Sequence, residues 1–297
     1  MRKFIANSNV HGWMGKTHAL LSIMLLCICL LIPINIFKET IWLLKDNLVF
    51  FIIGVIVTAG GSLLPDLDSV QSAAKSTLGF MGDMTTTFMR SIGDIMYRVV
   101  HLKRDRKSLH FPHRYFWHTL IAAIGILCMF WFGLPTGDKK IIDEVKETSV
   151  LDFLQDHVIL LFFILFLFMA ILCGSDMIMN KVIKFFKLPK ALNYISPLAM
   201  CGYLFAIDYT HLRILGICIG LGYLFHCIED CFADSGVPLL WPIPIKKQCW
   251  HRIKFFVTCS TVNKDKTGGL ANTIIDIVVL VIDIGLIALI LMKGSII

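Results

Sequence analysis

Apolar residues run almost unbroken over long stretches near 18–37, 47–64, 117–134, 157–179, 212–232 and 271–293, separated by short polar connections. Each run reaches about 18 residues or more, the length a helix needs to cross about 30 Å of hydrocarbon. A weaker run covers 192–207. None alternates as a barrel strand does, and an open sheet cannot present unpaired amides to lipid. The expected fold is therefore all-α, a polytopic transmembrane helical bundle of about seven spans. Residues 80–100 differ: Met81, Met84, Phe88, Ile92, Ile95 and Val99 recur at helical spacing opposite Asp83, Arg90, Asp94 and Arg98. That pattern predicts an amphipathic helix lying in the membrane interface. The first run, opening at Thr17, is longer than a signal-peptide core and no small-residue cleavage site follows it, so it reads as a retained helix. Residues 1–13 read as an N-terminal extension, because Met14-Gly15-Lys16-Thr17-His18 would make a natural start; 14–297 then form a single integral membrane domain.

Composition agrees, with 57% hydrophobic residues, 16% charged and a mean hydropathy of +0.75, against about 25% charge in soluble domains. The net charge of +7 is unevenly spread. Lys and Arg gather before Thr17, in 65–116, in 180–190 and in 233–269, while 38–46, 135–156 and 208–211 are neutral or acidic. Seven spans satisfy the positive-inside rule at every loop and six do not; the N-terminus is then inside and the C-terminus outside, with 65–116 and 233–269 as cytoplasmic or interfacial segments. Residues 239–256 mix Trp241, Trp250, Phe255 and Phe256 with Lys246, Lys247, Arg252 and Lys254, an interfacial composition suited to anionic membrane lipids. No nucleic-acid module accompanies these basic loops. The 10 cysteines lie mostly in the runs and form no CxxC pair, which argues against a disulfide framework or a zinc finger.

On this topology the polar motifs fall at one membrane boundary. Thr17-His18 opens the first span, Pro65-Asp66-Leu67-Asp68 closes the second, His113-Arg114 and His118 open the third, and His226 and Asp230 lie in the last turns of the sixth. His226 and Asp230, four apart on a helix, share a face and can hold one cation. Asp66 and Asp68 turn toward a common point if Pro65 ends the helix. His113 and His118 converge if the chain breaks at Pro112, and His18 in a first turn is kept neutral by the helix dipole. Each motif alone is more often a polar helix end or an interfacial histidine; their gathering at one face is what favours ligation. Imidazoles mixed with carboxylates suit zinc first, then manganese or iron, and the number of donors suits two ions. Such a centre performs in-line displacement at phosphorus, with Asp66, Arg114 and Asp230 as the catalytic candidates. Thr17, Glu229 and Asp234 are candidates to support the ligands, and Tyr115, Trp117 and Trp241 to contact lipid or substrate. Asp276 and Asp283, seven apart on the last run, and Asp176 should face the bundle interior.

The blocks Thr17-His18-Ala19-Leu20-Leu21-Ser22, Leu63-Leu64-Pro65-Asp66-Leu67-Asp68, His113 through Leu120, Gly222-Tyr223-Leu224-Phe225-His226 through Asp230, and Gly236-Val237-Pro238-Leu239-Leu240-Trp241-Pro242 resemble the YdjM-type membrane-bound metal-dependent hydrolases of bacterial inner membranes. The resemblance implies metal ligands at His18, Asp66, Asp68, His113, His118, His226 and Asp230, and a distant likeness to zinc-dependent phospholipases C. Tyr115 and Trp117 stand where the family pattern has Gly and Thr, Ala233-Asp234-Ser235 where it tends to read Thr-Pro, and Asn272 where a Glu is often found. Residues 135–210 read as an insertion carrying extra spans. The expected function is hydrolysis of a small or lipid-linked phosphoester at the cytoplasmic leaflet. A metal or ion transporter using Asp276 and Asp283, or a scaffold without metal, are the competing readings.

Overall fold

The computed structural model describes residues 15–31, 47–70, 72–105, 114–134, 158–186, 189, 192–204, 207–233, 236–255 and 270–294. Its helices are α1 Gly15–Leu31, α2 Leu48–Gly61, α3 Ala73–Leu78, α4 Phe80–Val100, α5 Leu120–Gly133, α6 Val158–Phe186, α7 Leu192–Leu204, α8 Tyr209–Glu229 and α9 Leu270–Gly294. Among the described residues no strand forms, only isolated antiparallel bridges at Val237–Ile253 and Ile245–Gln248. The all-α expectation holds.

Among the described residues four stretches are long and apolar enough to cross a membrane: Leu48–Asp68, Val158–Asp176, Tyr209–Phe232 and Ile274–Met292. Gly15–Leu31 and Leu120–Gly133 are apolar but shorter. The third run starts later than its hydropathy indicates. Thr119 accepts the Ala122 N–H at 3.2 Å and fixes the helix start at Leu120, so His118 lies in a preceding 3-10 turn, Phe116–His118, rather than in the helix. The weak run becomes α7, which keeps Pro197 in its interior.

Small residues let the central helices approach closely. A Cβ on Gly60 would stand 1.7 Å from the Ala170 carbonyl oxygen of α6, and one on Gly222 of α8 would stand 2.2 Å from the Thr58 carbonyl oxygen. α2 is thereby held between α6 and α8, and α8 also packs on α1 and α5. These crossings bring the end of α2 beside the end of α8. α9 packs on α1, where Asp276 accepts from Lys16 Nζ at 2.8 Å and from the Thr17 hydroxyl at 2.7 Å.

α4 has three faces. Gly82, Thr86, Met89 and Gly93 are buried against the protein, while Phe80, Met84, Phe88, Ile95 and Val99 form an exposed apolar stripe. Asp83, Thr87, Asp94 and Arg98 are exposed along a third side. The amphipathic helix expected over 80–100 is present with those bounds.

Candidate metal centre

Four segments deliver the polar groups. His18 sits in the first turn of α1 and is fully buried. After Gly61 the chain leaves α2, and Pro65 opens a 3-10 turn, Pro65–Asp68, that presents both acids. Asp68 is 1% exposed, whereas the Asp66 side chain retains 17%. Arg114 takes a φ of 63°, a left-handed conformation that costs a non-glycine residue about 1 kcal/mol. Its N–H donates to Asp68 Oδ2 at 3.1 Å, and the turn that follows carries His118 inward. α8 contributes His226 and, at its C-cap, Asp230, both with no exposure.

Asp230 stands at the middle. Its Oδ2 is 2.9 Å from His118 Nδ1 and 3.4 Å from His226 Nε2, and its Oδ1 is 3.5 Å from His18 Nε2 and 3.1 Å from Arg114 Nη2. On the other side Asp66 Oδ1 lies 3.6 Å from His226 Nε2, and Asp68 Oδ2 lies 3.6 Å from His118 Nε2. The ring centroids of His18 and His226 are 4.0 Å apart, and those of His118 and His226 5.1 Å. Two sets of donor atoms each fit within 4.8 Å: His18, His226 and Asp230, and Asp66, His118 and His226. They share His226, so they form one continuous cluster.

This donor set suits a cation. Asp66, Asp68, Glu229 and Asp230 lie among the three imidazoles, Asp230 beside the guanidinium of Arg114, and buried carboxylates without matching positive charge are costly. His18 Nε2 and both nitrogens of His226 are buried without a hydrogen-bond partner. A satisfied core histidine would have such a partner.

Other candidates are placed differently. The Thr17 hydroxyl faces Asp276 rather than a ligand. Tyr115 and Trp241 are 2% and 8% exposed, buried in an aromatic cluster with Trp250, whose ring stacks on Trp241 at 5.0 Å. Both are packed among aromatic rings rather than exposed, whereas Phe80, Met84 and Phe88 of α4 are among the exposed apolar residues. Trp117 donates its indole N–H to the Met89 carbonyl of α4 at 2.7 Å, and its own carbonyl accepts the Tyr223 hydroxyl at 2.7 Å. Asp105, fully buried, accepts the N–H groups of Leu102, Cys249 and Trp250 and ties the end of α4 to the aromatic cluster. Asp176, expected to face the interior, is part-buried and accepts the Thr77 hydroxyl at 3.0 Å. His113 and Asp234 lie outside the described residues. Sequence reasoning passed over Ser22, whose hydroxyl lies 3.3 Å from Glu229; a serine inside an apolar run carries no signal of its own. It also passed over the Lys16–Asp276 pair, because nothing in the pattern indicates that α9 packs on α1.

The family model for the YdjM inner membrane protein matches residues 13–294. The chain belongs to the YdjM family. The match includes every segment of this YdjM centre, from His18 to Asp230. No curated protein and no solved structure matches the chain. Family membership makes the chain an inner membrane protein by description, which agrees with the membrane-capable helices.

Proposed function

We propose that this protein is a membrane-embedded metal-dependent hydrolase, a phosphoesterase acting on a lipid or lipid-linked substrate. The observation that carries the reading is the convergence of three imidazoles and several carboxylates from four distant segments, buried, with one guanidinium among them. His18, Asp66, Asp68, His118, His226 and Asp230 would hold the cation, zinc by preference and manganese or iron next, as one ion or a pair. The bound cation supplies Lewis acidity and makes hydroxide accessible near neutral pH.

The chain's own residues divide the remaining work. Asp66, the part-exposed acid of the cluster, marks the mouth by which substrate and water arrive. Arg114, held by Asp230, presents positive charge where a phosphoryl oxygen would gain negative charge. Asp230 orders the three imidazoles and the guanidinium around one point. The apolar stripe of α4 lies on a different face from Met89, which holds Trp117. A leaflet taking up that stripe would bring headgroups to the level of the centre. The basic loops favour the cytoplasmic leaflet of a bacterial inner membrane, with the N-terminus inside and the C-terminus outside.

The test is release of phosphate or headgroup by purified protein loaded with zinc or manganese. Activity should disappear with chelation and fall at least a hundredfold in Asp66→Asn; activity indifferent to both would overturn the reading. One observation favours transport instead: the Asp283 carboxylate is buried on α9 with no hydrogen-bond partner among the described residues. Metal uptake into proteoliposomes that vanishes in Asp283→Asn, with no phosphate release, would select that alternative.

A further inference from the structure

We infer that Glu229 is the positioning residue for His18: it fixes the imidazole so that Nδ1 carries the proton and Nε2 is presented to the cation. The inference rests on the metal-centre reading above and concerns a residue whose neighbour, Asp230, is the more obvious ligand.

Glu229 and Asp230 are consecutive, so on α8 they point in directions about 100° apart. Asp230 turns toward His118, His226 and Arg114. Glu229 turns toward α1, where its Oε2 lies 2.7 Å from His18 Nδ1 and its Oε1 accepts from the Ser22 hydroxyl at 3.3 Å. All three residues are buried: Glu229 is 5% exposed, His18 and Ser22 not at all. His18 and Ser22 are four apart on α1 and therefore share a face, and one carboxylate spans both. The second imidazole nitrogen, Nε2, has no hydrogen-bond partner and is a member of the cation-sized cluster with His226 and Asp230.

An imidazole ligating through one nitrogen usually donates its other N–H to a carboxylate or carbonyl, which sets the tautomer and ring orientation. His18 has such a carboxylate, from outside the two donor sets, at hydrogen-bonding distance on its second nitrogen. Removing such a partner typically lowers metal affinity by about 10–100-fold. Ser22 holds the far oxygen of Glu229 and keeps it from rotating into the charge field of Asp230.

Positioning and simple added charge make different predictions. Glu229→Gln keeps an oxygen that accepts from Nδ1 and an amide that reaches Ser22, but removes the negative charge. Glu229→Leu removes both. Zinc binding is measured by calorimetry on the full chain in nanodiscs, together with ¹⁵N spectra of histidine-labelled, zinc-loaded protein. Wild type and Glu229→Gln should bind within about threefold of each other and show a His18 protonated at Nδ1. Glu229→Leu should lose about 10–100-fold and show a mixed tautomer. Ser22→Ala should fall between and checks the result if the leucine variant folds poorly. Equal losses in the glutamine and leucine variants, or an unchanged His18 tautomer in all of them, would overturn the inference while leaving the metal centre standing. Wild type binding no stoichiometric metal would instead overturn the metal-centre reading.

Discussion

With His118 Nδ1 at 2.9 Å, Arg114 Nη2 at 3.1 Å and two further imidazoles at 3.4 and 3.5 Å, the fully buried carboxylate of Asp230 has two cationic or imidazole neighbours on each oxygen, about as many as its lone pairs can serve. Asp230→Asn keeps the shape and removes the charge that collects them. Zinc affinity should fall by at least two orders of magnitude in calorimetry, while the isosteric amide leaves the fold in place. At the far end of α8 another acid does structural work. Asp208 caps the helix, accepting the His211 N–H at 2.9 Å, with its carboxylate also 2.7 Å from the His211 ring. Burial alone would raise its pKa, but the His211 N–H and imidazole hold it below the usual carboxylate range. A depressed folded pKa means the cap is fully effective above the unfolded value and is lost as pH falls through the folded one. Asp208→Ala should cost about 1 kcal/mol at pH 7. The gap between the two thermal midpoints should close below about pH 4, near and beneath the ordinary value for aspartate. What single residues showed in advance was chemistry at a boundary: Thr17-His18, Pro65-Asp66, His118 and His226 each stood at the end of an apolar run. Glu229 stood among the candidates to support the ligands, but which ligand it meets depends on the packing of α1 against α8.

α2 shows how the elements set those distances. A methyl group on Gly60 would meet the Ala170 carbonyl at 1.7 Å and one on Gly222 the Thr58 carbonyl at 2.2 Å, and backbone on the far side cannot yield cheaply. Gly222→Ala should lose about 1–3 kcal/mol of stability. Because residue 222 lies one turn before His226, it should also weaken metal binding, a coupling that thermal melts with and without zinc would reveal. α4 makes a prediction of another kind. A photocrosslinking benzophenone residue at Phe88 or Met84 should capture acyl chains in nanodiscs, and the same residue at Asp83 or Asp94 should not. Capture of a second copy of the chain at Phe88 would mean that the stripe is a protein interface. The three-sided pattern of α4 was legible because its apolar and charged positions repeat at helical spacing. The start of α5 was not, since Trp117 and His118 extend the apolar run while Thr119 ends the preceding turn.

Across the whole molecule the centre adds polar links between segments that also pack through their apolar faces. Chelation should therefore act on stability as well as activity. At metal concentrations near a hundred times the dissociation constant, binding contributes about 2.7 kcal/mol, and the thermal midpoint should drop by the corresponding amount when the metal is removed. A midpoint indifferent to chelator and metal would mean that nothing is bound there. The bundle and its one-sided chemistry could be read from hydropathy and charge alone. The α1–α9 contact through Lys16 and Asp276, 260 positions apart, could not, because apolar helix faces carry no record of their neighbours. That spacing also matters during synthesis. His18 and Glu229 are 211 positions apart, so the first imidazole enters the bilayer long before the residues that will complete its surroundings have left the ribosome. The cluster can close only after α8 is inserted. A nascent chain stopped short of residue 230 should retain no zinc, which would make metal capture a sign that biogenesis has reached its last stages.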